Sequence, residues 1–181
     1  MCRTIGRMAT SAMVGLVMLA GCNSGDGKKV SGESSADQRK ISTDKLPENV
    51  KAALNQRFSG AEVTHAEKET RNGQVVYDFE LKHSANRYEM DVREDGTILN
   101  IYKEVADRDL PKAVLKALEE KYPRARYQEI MEVYKVEGKK ETLTHHAVTL
   151  VTGGKQKLEV EVSPEGKILK SDKADDDKGE D

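Results

Sequence analysis

Residues 46–61 read LPENVKAALNQRFSGA, and residues 110–125 read LPKAVLKALEEKYPRA. The apolar positions of the first segment are Val50, Ala53, Leu54 and Phe58. Their spacing of i, i+3, i+4 and i+8 is that of one face of an α-helix, and the second segment keeps it. A proline near the start suits the first helical position, and Gly60 or Pro123 ends each segment. The chain therefore contains the same amphipathic helix twice.

After each of these segments the apolar residues no longer follow a helical spacing and instead recur at every second position. Alternating stretches are YDFEL at 77–81, YEMDV at 88–92 and LEVEV at 158–162. Turn residues separate such stretches, as at Asn72-Gly73, Asp95-Gly96 and Pro164-Glu165-Gly166. Strict alternation predicts strands with one buried face, and these turns predict hairpins. Each copy is predicted to be one helix followed by an antiparallel meander of about four strands.

The two copies together predict an α+β fold of two tandem repeats, at residues 46–104 and 105–170. The helix of each copy is the natural cover for the apolar face of its meander. A copy of about 60 residues is marginal as an independent domain. The two are therefore expected to pack as one body, through adjoining sheet edges that protect each other.

The N-terminus carries a signal for export. Arg3 and Arg7 precede the apolar stretch SAMVGLVMLA, which is too short to span a bilayer. The following residues, Leu19-Ala20-Gly21-Cys22, resemble the bacterial lipobox. This favours a lipoprotein signal peptide at 1–21 and lipidation at Cys22 over an ordinary secretory signal. Two or three acyl chains on Cys22 would anchor the protein stably to the membrane.

Two segments of the chain are predicted to be unpacked. Residues 22–45 are rich in Ser, Gly and mixed charge, which predicts a lipidated Cys followed by a flexible tether. Residues 171–181 predict a disordered acidic tail, whose Asp175-Asp176-Asp177 run lacks the spacing of a calcium loop. Residue 23 is Asn rather than Asp, which by resemblance to the Gram-negative sorting rule implies an outer-membrane lipoprotein facing the periplasm.

The doubled pattern resembles the PepSY-like family, specifically the group named for likeness to β-lactamase-inhibitor protein. The resemblance rests on LPENVKAAL and LPKAVLKALEEKYP, and on the hairpins YEMDVREDGTIL and LEVEVSPEGKIL. It implies an α+β fold with helices on one sheet face and the other face open. Relatives of this fold are found in protease propeptides and envelope proteins, for which inhibition or protein binding has been proposed. The family supplies no catalytic motif.

The sequence offers no catalytic or metal centre, and no cofactor is expected. His145 and His146 are adjacent, so on a strand they would point to opposite faces. His146 is predicted to be partly buried and hydrogen-bonded. The paired carboxylates Glu89/Asp91 and Glu159/Glu161 are interpreted as solubilising residues of an outer strand face rather than as an acid–base pair. Tyr102, Tyr127 and Tyr134 are interpreted as core or inter-copy packing, with surface binding as the alternative.

The sequence therefore predicts a non-enzymatic, membrane-anchored module that binds or inhibits another envelope or secreted protein. A partner-binding face is predicted on the open side of the sheet, at Asp78, Glu80, Glu89, Asp91, Arg93, Glu159 and Glu161. The formal net charge of −2 and the absence of a basic, aromatic-rich stripe argue against nucleic acid. The alternative is a protein that binds a small ligand or a metal cation through the acidic tail or the His145-His146 strand.

Overall fold

The computed structural model describes residues 39–174, which form two α-helices, two short 3₁₀-helices at Thr43–Lys45 and Asp107–Asp109, and one antiparallel sheet. The α-helices are α1 (Glu48–Arg57) and α2 (Lys112–Lys121). The strands are β1 (Arg39–Lys40), β2 (Glu62–Arg71), β3 (Gln74–His83), β4 (Asn86–Arg93), β5 (Ile98–Glu104), β6 (Arg126–Glu137), β7 (Lys140–Val151), β8 (Lys157–Val162) and β9 (Ile168–Lys173). The strands lie in the sheet in the order in which they occur along the chain. The predicted α+β class is confirmed.

A proline precedes the first residue of each α-helix, and an aromatic residue follows the last as the C-cap. Pro47 and Pro111 occupy the N-cap, one residue earlier than the sequence pattern suggested. Phe58 and Tyr122 close the helices by donating their backbone N–H to the carbonyls of Leu54 and Leu118, each at 2.8 Å. Neither helix of residues 39–174 is both long enough and apolar enough to cross a bilayer.

The helices and strands enclose two hydrophobic clusters on one face of the sheet. The first joins α1 to β2–β5 and includes Val50, Leu54, Phe58, Phe79, Leu81, Met90 and Ile101. The second joins α2 to β6–β9 and includes Val114, Leu118, Ile130, Val148, Leu150, Val160 and Val162. Because both clusters use strand residues of the same face, both helices cover that face.

A glycine in the last hairpin of each copy lies directly under the start of its helix. Gly96 and Gly166 both have φ near +87°. A Cβ on Gly96 would stand 2.8 Å from the carbonyl oxygen of Asn49, and one on Gly166 would stand 2.4 Å from that of Ala113. The backbone of each hairpin turn therefore contacts the backbone of the first turn of the helix. Only glycine, which has no Cβ, allows this close approach.

The two copies share one sheet through the β5–β6 pair. Five residue pairs connect these strands, from Asn100 with Lys135 to Glu104 with Met131. Tyr134 and Val136 belong to β6 but pack against the hydrophobic cluster of the first copy. The expected contact between adjoining sheet edges is therefore present, and it includes side chains of the second copy in the core of the first.

The β6–β7 hairpin is longer than its counterpart and reaches the first copy. Ala66 pairs with Phe79 in the first copy, whereas Ile130 pairs with Val148 in the second, so this hairpin has five more residues. Glu141 near its tip accepts two hydrogen bonds from the guanidinium of Arg57 at the end of α1, at 2.7 and 2.9 Å. The five added residues thus allow the second copy to form hydrogen bonds with the end of α1.

Parts of the predicted tether and tail are ordered. Arg39–Lys40 pairs with β2, Ile41 donates its N–H to the carbonyl of Ala66 at 3.0 Å, and Ile41 packs against the first cluster. Strand β9 extends to Lys173, and Ala174 is 7% exposed. Backbone pairing and apolar burial order these residues, contrary to the predicted boundaries at 45 and 171. The signal peptide, Cys22, the tether up to residue 38 and the acidic run from residue 175 lie outside the described residues.

The sheet face opposite the helices is covered by neither helix of residues 39–174, and we call it the open face. Alternate strand residues form it. On the central strands they include Asp78 and Glu80 of β3, Glu89, Asp91 and Arg93 of β4, Tyr102 of β5, Glu129, Met131 and Val133 of β6, His145, Ala147 and Thr149 of β7, and Glu159 and Glu161 of β8.

Candidate partner-binding face

All seven residues predicted for a partner-binding face lie on the open face. Five of them are neighbours on β3 and β4, where Asp78 is paired with Asp91 and Glu80 with Glu89. Glu159 and Glu161 lie together on β8, at the far side of the seam between the copies. The structure therefore divides the predicted residues into two groups, one in each copy.

The carboxylates of the first group are not simple solubilising side chains. Asp78, Glu89 and Asp91 are 2%, 5% and 0% exposed. Directly opposed like charges are unfavourable unless a cation lies between them. Two arginines that the sequence analysis did not single out, Arg71 and Arg87, supply that charge.

Arg71, at the end of β2, joins three carboxylates from three strands. Its Nη1 donates to Oδ2 of Asp91 at 3.0 Å, its Nη2 donates to Oδ1 of Asp78 at 2.9 Å, and its Nε donates to Glu69. The same Oδ2 of Asp91 also accepts hydrogen bonds from Asn100 at 3.2 Å and from the hydroxyl of Tyr102 at 3.1 Å. Asp91 is thus the centre of a network that spans β2 to β5.

Arg87, at the start of β4, forms a second network that crosses the seam. Its guanidinium donates to Glu129 of β6 and to Glu89 at 3.1 Å, and lies 3.9 Å from Glu80. Burial alone would lower the pKa of Arg87, but the carboxylates of Glu129 and Glu89 outweigh burial and raise it. The only sequence signal for these networks is the charge alternation in ETR at 69–71 and RYEMDVR at 87–93.

The second copy does not repeat these networks. Where the first copy has Glu67 paired with Asp78, the second has Met131 paired with Ala147. The next residue along β6 on this face is Val133, in the place of Glu69. Met131 and Val133 are 4% and 3% exposed, whereas Ala147, Glu159 and Glu161 are half-buried. The open face is therefore polar in the first copy and partly apolar in the second.

The three tyrosines for which the sequence left core packing and surface binding as alternatives have different environments. Tyr134 and Tyr127 pack against the first and second hydrophobic clusters, while Tyr102 lies on the open face. Burial and a hydrogen bond of 2.8 Å to Glu132 raise the pKa of Tyr134 to about 12. Core packing thus describes two of the three, and surface polar contact describes the third.

The adjacent histidines point to opposite sides of β7, as predicted. His145 pairs with Val133 on the open face, and His146 pairs with Glu132 on the helix-covered face. His146 is 0% exposed, so its ring is fully buried rather than partly buried as predicted. In the described part of the chain no group of three or more His, Cys, Asp or Glu residues could hold a metal ion.

Replacing His146 with leucine is expected to make the protein less sensitive to acid. Burial lowers the pKa of His146 from 6.5, despite the nearby Glu132, so the unfolded chain takes up a proton that the folded chain does not. The wild-type protein therefore loses stability as the pH falls below about 6.5, and His146→Leu removes part of that loss. Urea unfolding at pH 7.5 and pH 5 measures it. Burial also lowers the pKa of His145, but this ring is only half-buried, so His145→Asn should restore less acid stability than His146→Leu.

The sequence and the fold of this chain are similar to those of known proteins. A family model described as "Putative beta-lactamase-inhibitor-like, PepSY-like" matches residues 32–100 and 97–170. A BLIP-like protein from Bacteroides fragilis is 18% identical, with a TM-score of 0.55 over 75% of this chain and 92% of that chain. A protein from Bacteroides eggerthii, described as a putative periplasmic protein, is 15% identical, with a TM-score of 0.58 over 71% of this chain and 88% of that chain.

These structural similarities concern the fold alone, because the identities are low. No curated protein matches the chain. The two segments matched by the family model correspond to the two copies, each with one helix and its strands. The chain therefore belongs to the PepSY-like, beta-lactamase-inhibitor-like family and carries two tandem copies of its domain.

Proposed function

We propose that this protein is a non-enzymatic, lipid-anchored module of the bacterial envelope that binds or inhibits another extracytoplasmic protein through the open face. The observation that carries the proposal is the asymmetry of the sheet. Both helices lie on one face, and the other presents side chains of strands β2 to β9 without a covering element among residues 39–174. A broad, rigid sheet surface of this kind is suited to protein recognition.

The family supports a binding role over catalysis. Its name refers to likeness to a β-lactamase inhibitor, and one of the solved relatives is described as BLIP-like. The charged side chains of the open face hold one another in ion-pair networks around Arg71 and Arg87. A fixed set of charges favours specific docking, since little side-chain entropy is lost on binding.

The proposed location follows from the N-terminal sequence. Cleavage before Cys22 and acylation of its thiol would leave the body on a tether at the membrane surface. In a Gram-negative host, Asn23 favours the outer membrane with the body facing the periplasm. One of the structural relatives is described as a putative periplasmic protein, which agrees with a site of action outside the cytoplasm.

Site-specific photocrosslinking in the native cell tests this function. A photoreactive amino acid replaces Thr149 on the open face of β7, or Lys116 on the exposed side of α2 as the matched control. We expect position 149 to crosslink to one discrete envelope or secreted protein, and position 116 not to do so. Mass spectrometry identifies the adduct. Adducts from position 116 alone, or none from position 149, would refute binding through the open face.

A further inference from the structure

The middle of the open face carries a strip of uncharged side chains, which are apolar except for the Tyr102 hydroxyl that donates to Asp91. Tyr102 on β5 is paired with Val133 on β6, and Met131 on β6 is paired with Ala147 on β7. These are the central strands of the nine-stranded sheet. Tyr102 and Ala147 are half-buried, and Met131 and Val133 lie buried between their neighbours. We call these four residues the central strip.

Carboxylates lie on both sides of the central strip. Glu89 and Asp91 are on the β4 side, Glu129 is near the start of β6, and Glu159 and Glu161 are on the β8 side. In the first copy Arg71 and Arg87 are each shared among three carboxylates, and Arg93 of β4 lies on the same face. On the β8 side Lys157 and Lys170 lie on the same face as Glu159, Glu161 and Asp172, and Lys170 forms an ion pair with Asp172 at 2.7 Å. Carboxylates therefore outnumber cations on both sides.

We propose that the open face docks a cationic segment of its partner, with an apolar side chain on the half-buried Tyr102 and Ala147 and a lysine or arginine against the half-buried Glu159 and Glu161. This inference rests on the proposed function and specifies the partner's chemistry. Protein interfaces commonly have an apolar centre and a charged rim, and the rim selects partners of opposite charge. Glu161 is paired with Ala147, and Glu159 is the preceding residue of β8 on the same face.

The same charge argues against two other occupants of the open face. A second copy of this chain would bring an equally acidic surface against it, and opposed like charges are costly. An anionic lipid surface would be repelled for the same reason. The negative charge of the open face therefore favours a basic protein segment as its partner.

Isothermal titration calorimetry with a synthetic peptide tests the proposal. The probe carries one tryptophan between lysine and arginine residues. One control peptide replaces every cation with glutamate, and a second replaces the tryptophan with serine. We expect the probe to bind more tightly than either control, and its affinity to fall when salt is raised from about 50 to about 200 mM. Equal binding of the glutamate peptide would overturn the proposal.

Charge-reversed variants locate the site. Glu159→Lys with Glu161→Lys is expected to weaken probe binding by about tenfold. Glu119→Lys with Glu120→Lys changes the net charge equally on the exposed surface of α2 and should leave binding unchanged. An equal loss in both double variants would mean that only overall charge matters, which contradicts a site on the open face.

A substitution in the central strip separates apolar contact from charge. Ala147→Asp places there the residue type that the first copy has at Asp78. If the tryptophan of the probe packs on the central strip, this change weakens binding although it adds negative charge. Tighter binding would overturn the apolar part of the proposal.

Crosslinking in the native cell distinguishes failure of this inference from failure of the proposed function. A partner joined to position 149 through a neutral or acidic segment would overturn the cationic inference while leaving binding through the open face intact. The absence of any adduct at position 149 would refute the proposed function, whatever the peptide does.

Discussion

Replacing Gly166 with alanine is expected to lower the free energy of unfolding by about 3 kcal/mol, because two penalties combine. The backbone at Gly166 has φ +87°, where an L side chain is strained. The new Cβ would also stand 2.4 Å from the carbonyl oxygen of Ala113. That oxygen belongs to the backbone at the start of α2, so a side-chain rotation cannot relieve the contact. Either the helix or the hairpin must move.

The first copy and the exposed turns provide matched comparisons for this substitution. Gly96→Ala should cost about 2 kcal/mol, since its closest contact, the carbonyl oxygen of Asn49, is longer at 2.8 Å. Gly73 and Gly138 also have positive φ but nothing within 4 Å, so alanine there should cost about 1 kcal/mol. Urea unfolding of the four variants measures the series. A loss at Gly166 no larger than that at Gly73 would show that the contact between turn and helix is unimportant.

Replacing Arg71 with methionine is expected to cost about 3 kcal/mol at pH 7, because it leaves carboxylates buried without their shared cation. Glu69, Asp78 and Asp91 are 4%, 2% and 0% exposed, whereas Arg71 itself is about one-third exposed, at 32%. The cost therefore comes from the carboxylates rather than from the arginine. Chemical unfolding of the folded variant measures it.

Two further variants test whether charge is the cause. Arg126→Met removes an exposed arginine from β6 and should change stability by less than about 0.5 kcal/mol. Adding Asp91→Asn to Arg71→Met removes one of the uncompensated charges and should recover part of the loss. A double variant less stable than Arg71→Met, or equal losses for Arg71→Met and Arg126→Met, would contradict the assigned role of Arg71.

The hydrophobic pattern was sufficient to predict the fold class and the buried helix face. Val50, Ala53, Leu54 and Phe58 are all buried, as the helical spacing indicated. The alternation of Tyr77, Phe79 and Leu81 also assigns the strand face correctly. Local periodicity carries this information because each side chain's face is set by its own position along the helix or strand.

The polar networks could not be predicted from the same pattern. Arg71 contacts residues on β3 and β4, and the pairing register that brings them together depends on turns and bulges. The turn between β3 and β4 is an example, since Ser84 and Ala85 adopt φ of 49° and 64° without any glycine or asparagine. Tyr134 likewise contacts the first copy from a strand of the second, and its sequence neighbours give no sign of this.

The strictly sequential strand order has a consequence for how such a chain can change in length. Every strand from β2 to β8 hydrogen-bonds only to its predecessor and successor, and the seam between the copies uses the same antiparallel pairing as the hairpins within them. A further copy of the helix and its strands could therefore be appended after β9 by gene duplication, without threading any strand between existing ones. The edge formed by β9 is the position at which a relative of this protein could grow by a whole unit.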